Sequence, residues 1–258
     1  MENSYEQNGF LHVRGCFAPS ELAPVREIIQ RYHAGWLKRN KHHYEEGGVV
    51  NSAYLTDHKT MPAADRAVMF ALINSPKLLN LLAPLMPNGI AFMNTQLFFG
   101  PWDPDKKNYW HRDIQYTGMS VAEQQAEMAV VNVIHCRIVL LDEPGLELVS
   151  GTHKHWDADE EFETRMGTNG RKVYDDLPGA DTVNLREGDL LLFSANMIHR
   201  GLYASDRLAL DIVYCDPLPR LLAYAEEDCM PNQLELKNLD PASPLAVAAN
   251  AKLSQKIS

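Results

Sequence analysis

Pro87-Asn88-Gly89 divides the sequence into two unlike parts, and that division limits the folds open to the chain. Before it, apolar residues recur mainly at helical spacing. After it, from Ile90 to about Pro217, β-branched and aromatic runs alternate with turn residues at roughly 8–12-residue intervals. Helices followed by many short strands predict a mainly β architecture with flanking helices, an antiparallel barrel or jelly roll.

Within the first part, Gly9–Gly15 reads as a short strand. Pro19-Ser20-Glu21 suits the first turn of a helix, and Leu22, Val25, Ile28, Ile29, Tyr32 and Trp36 then form one apolar stripe suited to packing on a sheet. Two more helices are predicted over Ala63–Ile73 and Ser75–Leu85. Lys38, Arg39, Lys41, His42 and His43 gather where a helix end favours cations; the alternative is a cap that meets an anionic substrate group. In the second part the predicted strands are Ile90–Phe99, Ala129–Leu141, Leu146–Val149, Thr182–Leu185, Asp189–Ser194 and Leu208–Tyr214. Arg186-Glu187-Gly188-Asp189 makes a tight turn. The polar stretch Trp156–Gly179 is expected to be an insertion or lid, and the tail after Pro217 carries no strong strand signal. One domain is expected, with 1–88 as helical support and cap, 89–217 as the jelly-roll core and 218–258 as the tail.

A net charge of −10 disfavours nucleic acid, whose phosphates demand a basic face. No run approaches the roughly 18–20 apolar residues of a membrane span, and the polar start Met1–Glu6 lacks the pattern of a secretory signal. A soluble cytoplasmic protein is therefore expected, with its oligomeric state left open. Cys16, Cys136, Cys215 and Cys229 are widely spread, which argues for reduced buried thiols over a zinc cluster or disulfide framework.

The chemistry-bearing pattern is Trp110-His111-Arg112-Asp113, with His199 much later and Arg207 beyond it. Residues i and i+2 of a strand face one side, so His111 and Asp113 are expected to reach one ion, with His199 brought beside them by the barrel. Two imidazoles and one carboxylate are the facial ligand set of a mononuclear non-haem Fe(II) site with open positions. A competing set exists: His153 and His155, also two apart, could join His199 in an all-histidine, cupin-like site. His135 lies on a candidate inner strand and is expected to be a satisfied core histidine; His12, His33, His42, His43 and His58 are expected to be packed or solvated.

Four segments together resemble the phytanoyl-CoA dioxygenase family of Fe(II)/2-oxoglutarate oxygenases. They are Gly9–Val13 with the helix from Pro19; Trp110–Asp113; Gly145–Lys154; and Gly188–Phe193 running on to His199-Arg200-Gly201 and Arg207. The resemblance covers roughly residues 5–216 and implies a double-stranded β-helix in which His111, Asp113 and His199 hold Fe(II). Arg207 would pair with the far carboxylate of 2-oxoglutarate, as a planar guanidinium suits a carboxylate. Gln96 matches a family position that touches the co-substrate, and Asn94 points the same way if its strand is regular. Arg137 stands where family members often carry an aromatic residue, so it is expected either at the co-substrate or as a cation for the substrate.

The implied reaction uses O2 and 2-oxoglutarate, releases succinate and CO2, and hydroxylates an unactivated C–H bond of a small molecule. Halogenating relatives lack the carboxylate, so Asp113 favours hydroxylation over halogenation. Substrate contacts are expected from 47–57, 114–117 and the 157–180 insertion, with Tyr54 and Tyr116 as the named candidates. The alternative function is a cupin-like or catalytically silent barrel acting as a binding or regulatory module.

Overall fold

The computed structural model describes residues 2–255. The first part comprises α1 (Glu2–Asn8), β1 (Phe10–Val13), α2 (Pro19–Arg39), α3 (Lys41–Glu45), β2 (Asn51–Ala53), α4 (Ala63–Ile73) and α5 (Pro76–Leu82). The barrel follows with β3 (Ala91–Phe99), α6 (Val121–Met128), β4 (Val133–Val139), β5 (Glu143–Val149), α7 (Asp159–Met166), β6 (Ala180–Leu185), β7 (Leu190–Ser194), β8 (His199–Gly201) and β9 (Leu208–Cys215). The tail folds into α8 (Pro219–Leu222), α9 (Gln233–Leu236) and α10 (Pro244–Gln255).

The strands pair antiparallel in two sheets, a major one in the order β1-β7-β4-β9-β3-β2 and a minor one in the order β6-β5-β8. A bridge between His111 and His199 adds one more rung to the minor sheet. This is the double-stranded β-helix expected from the sequence.

The major sheet is covered on both faces, and strand alternation sorts its residues between them. On β4, Ile134, Cys136 and Ile138 face a core shared with Leu22, Val25, Ile28 and Ile29 of α2 and with residues of α4, α5 and α10. Their neighbours Val133, His135 and Arg137 face the barrel interior. Beyond them Val139 joins Leu191 and Phe193 of β7 and Leu146 and Leu148 of β5 in a second core between the sheets. Each such aliphatic side chain contributes about 1.5–3 kcal/mol on burial, and a one-residue slip of β4 would exchange the two sets of side chains.

Two expectations need correction, and one open alternative is decided. The strand predicted over Ala129–Leu141 begins only at Val133, because α6 ends just before it. Lys38, Arg39, Lys41, His42 and His43 are exposed and none lines the barrel interior, so the cluster is a solvated helix end and not a cap. Trp156–Gly179 is not a lid; it contains α7 and packs behind the 110–113 segment, away from the cavity. No helix among the described residues is long and apolar enough to cross a membrane.

Candidate active site

His111 and Asp113 do not share a regular strand. His111 exchanges two backbone hydrogen bonds with His199, its N–H to the His199 carbonyl and the reverse, both 3.0 Å, while Asp113 opens a 3-10 turn and donates its N–H to Ala195. His111 and His199 are therefore cross-strand partners, which sets their rings 4.2 Å apart. Asp113 reaches the same point from the adjoining turn: its Oδ1 lies 3.6 Å from His111 Nε2 and 3.7 Å from His199 Nε2. Among the described residues these three alone form a group able to hold a metal, all ligand atoms lying within 4.8 Å of one another.

The imidazoles are set up as ligands. His111 Nδ1 donates to the Tyr109 carbonyl at 3.3 Å and His199 Nδ1 to the Met197 carbonyl at 3.1 Å, which leaves a lone pair on each Nε2. Burial, opposed by Asp113, lowers the pKa of His111; burial and the neighbouring His111 push that of His199 down to about 3. Both rings are neutral near pH 7, the form that binds a metal.

Asp113 uses its two oxygens differently. Oδ1 faces the two Nε2 atoms, while Oδ2 accepts from His135 Nε2 at 2.7 Å. His135 also donates from Nδ1 to Asp211 Oδ2 at 3.2 Å and stacks on Phe193, ring centroids 4.7 Å apart. Burial opposes charge on His135, but Asp113 and Asp211 outweigh it and raise its pKa to about 9. Burial likewise opposes charge on Asp113, yet His135, His199 and His111 hold its carboxyl well below the usual carboxylate range. His135 is thus satisfied, as expected, but it is satisfied inside the site and orients a ligand.

Deeper in the cavity, Gln96, Asp211 and Arg137 stand in one cross-strand row on β3, β9 and β4. Arg137 is fully paired: Nε and Nη2 donate to Glu143 at 2.7 and 3.1 Å, and Nη1 to Asp211 at 3.1 Å. It is no free cation for a substrate. Glu143 faces inward across a bulge at Gly145, whose φ of +88° suits glycine and where a Cβ would come 1.8 Å from the Val183 carbonyl oxygen. Glu143 Oε2 also accepts from Arg207 Nε at 3.0 Å.

Arg207 lies 3% exposed in the cavity wall, and its Nη1 is buried without a protein partner. Its Nη2 rests against Gly201, where a Cβ would stand 2.7 Å away. Burial and the adjacent Arg137 lower its pKa, against the pull of Glu143, to about 10, so it remains a cation at neutral pH. A buried donor with no partner is costly, and an incoming carboxylate would satisfy it.

Asn94 and Gln96 both line the cavity, the irregularity in β3 falling before Asn94. The Asn94 side-chain oxygen, however, is taken up by the backbone N–H groups of Thr95 and Tyr54, at 2.7 and 3.1 Å. Leu55 N–H donates to Thr95 Oγ1 at 3.0 Å. These bonds hold Tyr54 at φ 61°, a left-handed conformation that costs a non-glycine residue about 1–3 kcal/mol. Tyr54 and Tyr116 line the cavity mouth, as do Val50, Asn51, Ile114 and Thr117 from the expected loops.

The 157–180 insertion lines none of it; its role is support. Trp110 N–H and Nε1 donate to the Val173 and Asp175 carbonyls at 2.9 and 2.8 Å. Arg112, wholly buried between the two ligands in sequence, donates to Asp157 at 2.6 Å and to the carbonyls of Thr152, His155 and Asn196. The all-histidine alternative fails on position: His153 packs on Tyr5 and Gly9, and His155 Nδ1 meets the Trp156 carbonyl, both outside the cavity.

Several functional positions escaped sequence reasoning. Asp211 sits in the apolar run Leu-Ala-Leu-Asp-Ile-Val-Tyr, where a carboxylate already signals a buried partner. Glu143 gave no such signal. Nor did Tyr109 and Tyr203, or Arg220, Leu221 and Tyr224 of the tail, which complete the wall of a cavity of about 440 Å³.

Solved structures share this fold. The non-haem α-ketoglutarate-dependent epimerase SnoN from nogalamycin biosynthesis is 21% identical over 84% of this chain and 79% of its own, with a TM-score of 0.58. HygX from Streptomyces hygroscopicus, with nickel and 2-oxoglutarate bound, is 19% identical over 81% and 83%, with a TM-score of 0.57. EctD from S. alaskensis, with bound Fe, is 14% identical over 84% and 75%, with a TM-score of 0.54. No curated protein sequence matches the chain. The family model described as phytanoyl-CoA dioxygenase (PhyH) matches residues 5–204, and the chain belongs to that family.

Proposed function

We propose that this protein is an Fe(II)- and 2-oxoglutarate-dependent dioxygenase that hydroxylates an unactivated C–H bond of a small molecule. The observation that carries the proposal is the convergence of His111 Nε2, His199 Nε2 and Asp113 Oδ1 in a cavity that also presents the unpartnered Nη1 of Arg207. The donor set fits iron, since two neutral imidazoles and one carboxylate occupy one face and leave the opposite face open. The free guanidinium nitrogen fits a dicarboxylate reaching inward from the metal. Two of the structural neighbours were solved with nickel and 2-oxoglutarate, or with Fe, in place.

Bound together, iron and 2-oxoglutarate supply O2 activation, with succinate and CO2 as co-products. The chain's own residues position and enclose. His111 and His199 offer fixed Nε2 lone pairs. His135 holds Asp113 Oδ2, so Oδ1 alone faces the point where the two Nε2 atoms converge. Arg207 would orient the far carboxylate of 2-oxoglutarate, and a carboxylate at position 113 favours hydroxylation over halogenation.

Metal-free protein titrated anaerobically with Fe(II) and 2-oxoglutarate is expected to develop the weak visible charge-transfer band of the chelate. The band should be lost in a His111→Ala/Asp113→Ala variant. Absence of the band in the native protein, or its persistence in the variant, overturns the proposal in favour of a binding or regulatory barrel. Succinate release across a substrate panel, with hydroxylated product identified by mass, tests the reaction type.

A further inference from the structure

The substrate half of the cavity has a chemical character of its own. Five of the chain's ten tyrosines line the cavity: Tyr54, Tyr109, Tyr116, Tyr203 and Tyr224. Tyr109, Tyr116 and Tyr224 are each more than a third exposed at the mouth. Tyr109 and Tyr116 flank the ring of His111, with centroids 5.3 and 5.7 Å from it, beside the metal position. Tyr54 comes from the major-sheet side, where Asn94 and Thr95 hold its backbone in a strained conformation. Strain maintained by dedicated hydrogen bonds at a cavity wall points to a side chain placed for binding.

The charges in the lining are already balanced. Its cations are Arg137, Arg207, Arg220 and His135, and no lysine lines it. Arg137 and Arg207 meet Glu143, Arg137 also meets Asp211, and His135 lies between Asp113 and Asp211. Towards the mouth, Arg220 Nε donates to Glu127 at 2.6 Å, joining α8 to the end of α6. Among the described residues of the lining, the one buried cationic nitrogen without a partner is Arg207 Nη1, reserved in the reading above for the co-substrate. A phosphate or second carboxylate entering the outer half would meet only Arg220, which is about half exposed to solvent and already neutralised by Glu127. Such a screened, paired cation offsets little of the cost of desolvating an anion. Tyrosine rings offer stacking faces and neutral hydroxyls, with Asn51 and Thr117 as further neutral partners.

We infer that the substrate is an uncharged, ring-bearing molecule that stacks on the tyrosines at the mouth, and that coenzyme A thioesters are not accepted. Tyr54 and Tyr116 are its specificity-determining residues, and the Arg220–Glu127 pair is what denies the site to anions. The inference rests on the oxygenase reading for the identity of the inner half and on the outer lining for its own content.

Calorimetry with the 258-residue chain, both metal-free and saturated with nickel(II) and 2-oxoglutarate, tests it with three probes: 2-naphthol, 2-naphthoate and octanoyl-CoA. The neutral ring is expected to bind about tenfold more tightly than its carboxylate analogue, and octanoyl-CoA not to bind. Tyr54→Leu and Tyr116→Leu are each expected to weaken 2-naphthol about 3- to 10-fold. Glu127→Gln, which frees Arg220, should strengthen 2-naphthoate binding, a gain that misfolding cannot imitate. Failure of native protein to bind 2-naphthol, equal or tighter binding of either anionic probe, or unchanged affinity in both tyrosine variants overturns the inference. Nickel-dependent 2-oxoglutarate binding is read in the same experiment. Its loss with 2-naphthol binding intact counts against the oxygenase reading alone.

Discussion

Glu143 holds Arg207 by one hydrogen bond, Nε to Oε2 at 3.0 Å, because Arg137 engages both oxygens of the same carboxylate at 2.7 and 3.1 Å. Without Arg137, Glu143 would be free to pair with Arg207 through both oxygens and compete with an incoming dicarboxylate. Arg137→Met is therefore expected to raise the Kd for 2-oxoglutarate about tenfold, the scale of one charge-assisted hydrogen bond. Adding Glu143→Gln should recover most of the loss. Anaerobic titration of the two variants checks this; equal Kd values for native protein and Arg137→Met would refute it.

Gly201 leaves room for the guanidinium it touches. A Cβ there would lie 2.7 Å from Arg207 Nη2, so Gly201→Ala should displace the guanidinium. The expected signature is an increase in KM for 2-oxoglutarate of about tenfold or more, with a stability loss of about 1–3 kcal/mol from overpacking. Steady-state kinetics and thermal unfolding separate the two effects.

Arg112 secures the ligand segment from behind. Its guanidinium is 0% exposed and pairs with Asp157, which also binds Arg165 at 2.5 Å. Arg112→Ala would leave buried Asp157 short of a partner, an effect on the order of 3–5 kcal/mol. Chemical unfolding should show that loss, and metal titration should show weaker binding although no ligand has been changed.

Asp189 carries a pH-dependent contribution at the other end of the barrel. It accepts from Gly15 N–H at 2.7 Å, Arg186 N–H at 3.1 Å and His12 Nε2 at 2.8 Å. Burial favours its neutral form, but these bonds prevail and lower its pKa. A depressed folded-state pKa stabilises above the unfolded value of about 3.9, and the contribution disappears as pH falls through the folded value. Asp189→Asn should lower stability by about 1.5–3 kcal/mol at pH 7, and the gap between variant and native protein should close below about pH 4. Thermal melts from pH 3 to about pH 7 measure it.

Much of the barrel was legible because it depends on local pattern. Ala63–Ile73 is a helix end to end, and the runs at Ile90–Phe99, Asp189–Ser194 and Leu208–Tyr214 became β3, β7 and β9 with shifts of a residue or so. Strands of three residues, β2 and β8, are too short to show a period. α6 was missed although Ser120 and Glu123 form a capping box at its start. The three ligand residues converged as expected, but for another reason: a backbone bridge and a turn, in place of one strand face. The insertion misled because its charges suggested solvent, whereas Asp157 and Arg165 are buried partners of Arg112. Likewise, a tail without strand signal gave no hint that Arg220 and Tyr224 would wall the cavity. Such contacts depend on how distant segments pack, which a single sequence does not display.

The reciprocal backbone bonds between His111 and His199 have a structural consequence for the rest of the chain. Main-chain geometry, common to every amino acid, governs the spacing of the two imidazoles. Loops elsewhere can lengthen, shorten or change composition while that spacing is kept, provided the two segments still meet. Chemistry and selectivity are thereby decoupled: the mouth can be rebuilt for a different guest on an unaltered foundation.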